Sequence, residues 1–193
     1  MIYSFCRGLL RLIYKLLFRL EAKGMEHIPS QGGVLLCSNH ISLLDPPTIG
    51  ILLQRKVHFM AKKELFDIFG FGWLIKQLGA FPVKRGGVSK ESIKTSLTLL
   101  RTGHVMGIFP EGTRTKSEDG GAGKRGAATF ALRSDAAVVP VAIIGHYKLF
   151  KKMKVVYGAP IDMTPFKDKD VPDAAEQATN LIMTKIAELR KQG

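Results

Sequence analysis

Short apolar runs alternate with helix-like segments along most of the chain, and this alternation limits the possible folds more than any other feature. The apolar runs, each typical of a buried strand, are 34–37, 57–61, 81–83, 105–109, 138–144 and 153–157. Helical segments fall between or after them, at 45–54, 89–101, 126–133 and 174–190. Strands that alternate with helices favour parallel pairing, and 193 residues suit one domain. The pattern predicts an α/β fold, a single domain with a mostly parallel β-sheet flanked by helices.

Local signals predict where several of these elements begin. Asp45 is followed by two prolines, which suits a helix with Asp45 as N-cap and Pro46 in the first turn. Ser89 is the expected N-cap of the helix that runs to residue 101. The aromatic segment 66–76 is expected to be helical near a membrane, and 115–123 to be a polar loop.

The first twenty residues form a separate amphipathic pattern. Cations recur at every fourth position, and on a helix they cover an arc of about 120°; they are Arg7, Arg11, Lys15 and Arg19. Leucines and other apolar residues fill the opposite side, while Phe18 falls among the cations. A charge on every turn argues against a membrane span and against a secretory signal.

This pattern predicts an interfacial amphipathic helix over residues 1–22, followed by a folded domain over 23–193. The four cations are expected to contact anionic headgroups, with the apolar side in the acyl boundary. The alternative is a helix that packs on its own domain and turns its cations to water. The chain is therefore expected to be a peripheral membrane protein.

The net charge points to an anionic partner. Lys and Arg number 29 against 16 Asp and Glu, a formal charge of +13. Such a surplus suits nucleic acid, anionic lipid or a phosphorylated substrate, although it is also found in merely soluble basic proteins. Nucleic acid is not expected as a partner, because exposed aromatics are not interleaved with the cations and no known binding module is apparent.

His40 and Asp45 are the candidate catalytic pair. Five helical positions turn through about 140°, so the two side chains meet only if a loop wraps between strand and helix. Asp45 would then fix the imidazole tautomer and leave the other ring nitrogen to accept a proton. The spacing alone leaves open a structural loop histidine and a helix-capping aspartate. Ser42 and Cys37 are alternative nucleophiles. Cys6 and Cys37 match no metal spacing, and no metal site is expected.

A second polar turn follows the run at 105–109, where α/β domains usually bind ligands. Gly112 permits a tight turn, Arg114 offers a planar fork for phosphate oxygens, and Glu111 is placed to orient that guanidinium or to contact a substrate hydroxyl. Two further basic turns contain Arg85 and Lys124. A surface turn with one ion pair is the alternative interpretation.

Four segments in this order together resemble the glycerolipid acyltransferase family. They are Asn39-His40 with Asp45, residues 81–85, residues 109–114 and residues 139–141. The resemblance covers about residues 20–160, and its first and third segments are the specific ones. Pro82 and Lys84 depart from the aliphatic and small polar residues that many members have there.

The resemblance implies transfer of a fatty acyl group to the free sn-2 hydroxyl of 1-acylglycerol 3-phosphate, or lysophosphatidic acid, which gives phosphatidic acid. It implies His40 as general base, Asp45 as its partner and an acceptor-site turn at Glu111 and Gly112. Arg85 and Arg114 are implied to bind the acceptor phosphate. Lys62 is implied to contact the oxyanion, with Lys63 as an alternative, and Pro140 to shape the acyl-side pocket.

The implied acyl donor is acyl-CoA, acyl carrier protein or acyl phosphate, each a co-substrate, and no cofactor is expected. The implied location is the cytoplasmic face of the cell membrane. Two alternatives remain open. One is the same chemistry on glycerol 3-phosphate, a lysophospholipid or a lyso-aminolipid, and the other is a non-catalytic basic lipid-binding protein.

Overall fold

A computed structural model describes residues 2–83, 89–114, 123–168 and 170–192. The strands in chain order are β1 Glu21–Lys23, β2 Val34–Ser38, β3 Val57–Lys62, β4 Ala80–Val83, β5 Val105–Ile108, β6 Ala137–Ile144 and β7 Lys154–Tyr157. The helices are α1 Ile2–Phe18, α2 Asp45–Gly50, α3 Phe71–Gln77, α4 Lys90–Arg101, α5 Gly126–Arg133 and α6 Ala174–Arg190. Ser89 caps α4 as predicted, by accepting the Ser92 N–H.

The seven strands form one sheet in the order β1-β7-β6-β2-β5-β3-β4. Neighbouring strands are parallel throughout, except that β7 runs antiparallel to β6. This arrangement confirms the predicted α/β domain with a mostly parallel sheet. The short strand β1 was not predicted, because the sequence Glu-Ala-Lys at a sheet edge has no apolar run. It spans position 22, so the sheet continues across the expected boundary between helix and domain.

Strand β2 lies at the centre of the sheet, and all five of its residues are buried. Its side chains alternate between the two faces, as strand geometry requires. Val34 and Leu36 join the core beneath α1 and α2, whereas Leu35 and Cys37 join the core beneath α4, α5 and α6. The domain therefore has three layers, with a hydrophobic core on each side of the sheet.

Helix α1 packs on the domain through only part of its apolar side. Tyr14 and Phe18 are buried in the core. The Arg7 guanidinium donates to the carbonyls of Leu53 and Gln54, and Arg11 donates to that of Leu52. The side of the helix that carries Phe18 with Leu10, Ile13 and Leu17 therefore faces the protein, and the guanidinium groups of Arg7 and Arg11 are bonded beside it.

A row of apolar residues on α1 points away from the domain instead. Its members are exposed by 42% to 73%, and they are Ile2, Phe5, Leu9, Leu12 and Leu16. Their spacing of three and four positions places them on one side of the helix. We call these five residues the exposed apolar row.

Two helix predictions were wrong in extent. Helix α2 ends at Gly50 rather than near residue 54, and the carbonyls of 52–54 accept hydrogen bonds from α1. Leu44, not Asp45, is its N-cap. Segment 66–76 is helical only from Phe71, after a turn. Across the described residues, no helix is both long and apolar enough to cross a bilayer.

Candidate active site

The carboxyl ends of three adjacent parallel strands meet at one edge of the sheet. Strand β2 lies between β5 and β6, and it is parallel to both. The chain beyond β2 carries His40 and Asp45, the chain beyond β5 carries Glu111, and the chain beyond β6 carries Tyr147. Ligands of open α/β sheets bind at this edge, so strand order alone gathers the candidate groups.

His40 and Asp45 are hydrogen-bonded, with 2.7 Å between Nδ1 of the imidazole and Oδ2 of the carboxylate. The carboxylate of Asp45 is fully buried, while 17% of the His40 side chain is exposed. The backbone N–H groups of Ile41 and Ser42 also donate to Oδ2, at 2.6 and 2.7 Å. Asp45 therefore organises the loop that carries His40. It does so instead of capping α2, which corrects the N-cap prediction.

The imidazole of His40 stacks on the ring of Phe109, with centroids 4.0 Å apart and planes 15° apart. Phe109 immediately precedes the Pro110-Glu111-Gly112 turn. The stacking fixes the orientation of the ring, and the bond to Asp45 engages Nδ1. A neutral imidazole held in this way has Nε2 as its proton acceptor. The contact also brings together two of the four segments singled out in the sequence, Asn39-His40 with Asp45 and residues 109–114.

Asn39 anchors the start of the same loop to β6. Its buried amide donates to the Ile143 carbonyl at 3.0 Å and accepts the Ile143 N–H at 2.8 Å. A side chain that pairs with both backbone groups of one residue behaves like a short extension of the sheet. Asn39 therefore holds His40 at the sheet edge without contacting the imidazole itself.

The turn after β5 presents Glu111, Gly112 and a neighbouring lysine. Glu111 is 4% exposed, and its Oε2 is buried without a hydrogen-bond partner among the described residues. Gly112 has a φ of 69°, in the left-handed region that favours glycine. A Cβ at Gly112 would lie 3.1 Å from Nζ of Lys124, so that ammonium lies over the turn.

The remaining predicted residues occupy different places. Arg114 is exposed at the end of the same turn, and Lys62 is the exposed last residue of β3, at the same edge. Arg85 lies outside the described residues. Pro140 is buried inside β6, opposite Cys37 of β2 and before the strand end. The structure does not bring Pro140 to the edge with the others, which gives it a structural place in the sheet.

Comparison with known proteins identifies the family of this chain. An acyltransferase family model matches residues 19–144. The chain belongs to the acyltransferase family. It is 36% identical to the 1-acyl-sn-glycerol-3-phosphate acyltransferase of Bacillus subtilis over 196 aligned positions, which cover 98% of each protein. It is 30% identical to the Streptococcus pneumoniae protein of the same name, covering 100% of this chain and 74% of that one.

A solved structure shows the same fold. The 1-acyl-sn-glycerophosphate acyltransferase PlsC from Thermotoga maritima superimposes with a TM-score of 0.75 and 23% identity, over 97% of this chain and 78% of that one. This likeness shows the single-domain α/β fold, and the family model with the curated relatives shows that the protein is an O-acyltransferase. The resemblance drawn from the four sequence segments is thereby confirmed.

The two alternative nucleophiles of this acyltransferase are poorly suited to attack. Cys37 is fully buried in β2, and burial raises the pKa of its thiol far above the ordinary value. Ser42 Oγ accepts the Leu44 N–H at 3.2 Å and stabilises the turn between His40 and Asp45. Both residues therefore have structural roles, and the dyad remains the chemically suited pair.

Tyr147 was not among the residues predicted from the sequence. Its hydroxyl lies 2.8 Å from Oδ1 of Asp45, although the two residues are 102 positions apart. The sequence did contain one signal that could have identified it. Tyr147 lies just after the apolar run of β6, as His40 lies just after that of β2. No group of three or more metal-binding side chains occurs in the described part of the chain.

Proposed function

We propose that this acyltransferase transfers a fatty acyl group to the free sn-2 hydroxyl of 1-acylglycerol 3-phosphate, giving phosphatidic acid. The observation that carries the proposal is the buried hydrogen bond between His40 and Asp45 beside the Glu111–Gly112 turn. The names of the Bacillus and Streptococcus relatives support the choice of acceptor. The surplus of positive charge also suits an anionic lipid.

The dyad supplies general base catalysis in this proposal. Nε2 of His40 accepts the proton of the acceptor hydroxyl as its oxygen attacks the acyl carbonyl carbon. Asp45 stabilises the imidazolium that results, because its carboxylate already faces Nδ1. When the tetrahedral intermediate collapses, the imidazolium proton passes to the thiolate or phosphate that leaves. The hydroxyl of the substrate is the nucleophile, so no acyl-enzyme is formed.

Basic side chains and the Glu111–Gly112 turn bind the acceptor in this proposal. Arg114 and Arg85 contact its phosphate, and Lys124 adds a third cation over Gly112. Glu111 binds the glycerol hydroxyl of the acceptor in this proposal. Its buried Oε2 has no hydrogen-bond donor among the described residues, and a ligand hydroxyl would supply that donor. Lys62, the exposed last residue of β3, offsets charge on the developing oxyanion in this proposal.

The exposed apolar row of α1 contacts the membrane that contains the acceptor. A helix with a continuous row of exposed apolar side chains suits the acyl boundary of a bilayer, where it rests without spanning. The dyad loop is close to this helix, because the Tyr14 hydroxyl donates to the Leu44 carbonyl at 3.4 Å. Leu43, in the same loop, is 71% exposed and extends the apolar surface towards His40. Lys15 and Arg19, which are both exposed, contact headgroups at the cytoplasmic face in this proposal.

The proposal is tested with purified full-length protein and mixed micelles. Acceptors are lysophosphatidate, glycerol 3-phosphate and lysophosphatidylcholine, each combined with acyl-CoA, acyl carrier protein and acyl phosphate as donors. We expect lysophosphatidate to have the highest kcat/KM with at least one donor, and His40→Ala to lower it by about 10²- to 10⁴-fold. A preference for another acceptor would overturn the substrate assignment, and normal turnover by His40→Ala would overturn the mechanism.

A further inference from the structure

The carboxylate of Asp45 is held from both sides. Its Oδ2 accepts from His40 and from two backbone N–H groups, while its Oδ1 accepts from the Tyr147 hydroxyl at 2.8 Å. The last of these donors comes from the chain beyond β6. It does not contact the imidazole, so any effect on His40 passes through Asp45.

The direction of each hydrogen bond follows from its chemistry. An ionised carboxylate has no proton to give, so Tyr147 donates to Asp45. The Thr48 hydroxyl lies 2.8 Å from the Tyr147 oxygen and 2.7 Å from the Leu44 carbonyl, which can only accept, so the one Thr48 proton serves the carbonyl as well as the tyrosine oxygen. Tyr147 therefore donates to Asp45 from one side, and the Nδ1–H of His40 donates to the same carboxylate from the other side.

The surroundings of Tyr147 keep it a donor. Burial and the nearby charge of Asp45 raise the pKa of the phenol far above its ordinary value, so the proton stays on the oxygen. The Phe18 ring meets the Tyr147 ring edge-on, with centroids 5.5 Å apart, which restricts rotation of the tyrosine. Helix α1 thus supports the residue that contacts Asp45.

We propose that Tyr147 is a positioning residue that fixes the plane of the Asp45 carboxylate, and through it the imidazole of His40. The inference rests on the proposed role of the dyad. The terminal torsion of an aspartate is broad and weakly restrained, so donors to both oxygens are needed to hold one orientation. Without the tyrosine proton, Oδ1 becomes a buried acceptor without a protein partner, and rotation that relieves it misplaces Nδ1 of His40.

The test replaces Tyr147 with phenylalanine, which keeps the ring against Phe18 and removes the hydroxyl alone. The matched control is Tyr157→Phe. Tyr157 is also buried, and its hydroxyl donates to the Ile49 carbonyl of α2 at 2.7 Å without touching Asp45. Melting temperature, kcat and the KM values for lysophosphatidate and the acyl donor are measured for both variants, with His40→Ala in parallel.

We expect Tyr147→Phe to lower kcat about tenfold with both KM values within about twofold, because orientation of the base affects the transition state more than substrate binding. Tyr157→Phe is expected to lower the melting temperature and to keep kcat within about twofold of the wild-type value. Unchanged kcat in Tyr147→Phe, or an equal fall in both variants, would overturn the inference.

A second variant keeps the test decisive if Tyr147→Phe does not fold. Thr48→Val has nearly the same shape and removes the hydroxyl that contacts both the tyrosine oxygen and the Leu44 carbonyl, so we expect kcat to fall about two- to threefold. An unchanged kcat in Thr48→Val would then count against the inference. Activity retained by His40→Ala would instead overturn the proposed catalytic role of His40 and Asp45, whatever the effect of Tyr147→Phe.

Discussion

The backbone N–H of Ser42 donates to Oδ2 of Asp45 at 2.7 Å, and the same oxygen accepts a hydrogen bond from Nδ1 of His40. One buried carboxylate therefore folds the loop and orients the candidate base. The two members of the dyad consequently differ in what their removal does. Loss of His40 leaves the loop donors satisfied, whereas loss of Asp45 leaves them buried and unpaired.

This difference predicts contrasting stabilities for His40→Ala and Asp45→Ala. Both should lose acyl transfer, by about 10²-fold or more. Asp45→Ala should also lose about 2–5 kcal/mol of unfolding free energy, because the Ile41 and Ser42 N–H groups lose their acceptor. His40→Ala should stay within about 1 kcal/mol of the wild type. Denaturant unfolding separates the cases, and equal stability of the two variants would contradict the prediction.

The exposed apolar row predicts that membrane binding depends more on its leucines than on Arg7 and Arg11. We expect the triple variant Leu9→Ser, Leu12→Ser and Leu16→Ser to lose cosedimentation with anionic vesicles while its melting temperature stays near that of the wild type. These side chains are 48% to 61% exposed, so the domain core does not need them.

Arg7→Gln is the matched variant from the inward side of α1. Its guanidinium is bonded to the Leu53 and Gln54 carbonyls, so we expect a lower melting temperature and unchanged vesicle binding. Binding that survives the triple leucine change, or fails in Arg7→Gln, would show that the row is not the membrane contact.

Lys124 is expected to contribute to acceptor binding, because its ammonium lies over Gly112. Replacement by glutamine should raise the KM for lysophosphatidate about five- to twentyfold, with little change in kcat or in the KM for the donor. Arg125→Gln is the control next to it, since Arg125 pairs with Glu176 at 2.6 Å on the surface. A rise in KM that is equal in both variants would indicate a general charge effect.

Acid stability should depend on His58, which lies half-buried in β3. Burial lowers the pKa of its imidazole, and nearby Lys56 and His104 lower it further. The unfolded chain therefore binds the proton more readily than the folded one. Its contribution to stability is complete above the unfolded pKa of about 6.5 and is lost as the pH falls below it.

The melting temperature between pH 7 and pH 5 measures this effect. We expect the fall in the wild type to be smaller in His58→Gln, because the variant has no imidazole to protonate. Exposed His146 provides the control, and His146→Gln should keep the slope of the wild type. If both variants give that slope, His58 does not control acid stability.

The sequence by itself determined what depends on neighbours along the chain. Helices α5 and α6 have the predicted bounds, and Ser89 caps α4, since periodicity and capping involve residues a few positions apart. The contact between His40 and Asp45 was also predicted from a local motif, although the spacing left a structural role open and only the resemblance to the family implied catalysis.

Only the tertiary structure decided which distant residues complete the site and which side of α1 faces inwards. Tyr147 reaches Asp45 because β6 pairs with β2, and that pairing depends on packing between segments a hundred residues apart. Arg7 and Arg11 lie against the domain because the carbonyls after α2 lack helical partners there. Local patterns are insensitive to both effects, since strand order and helix docking are set by the burial of non-local surfaces.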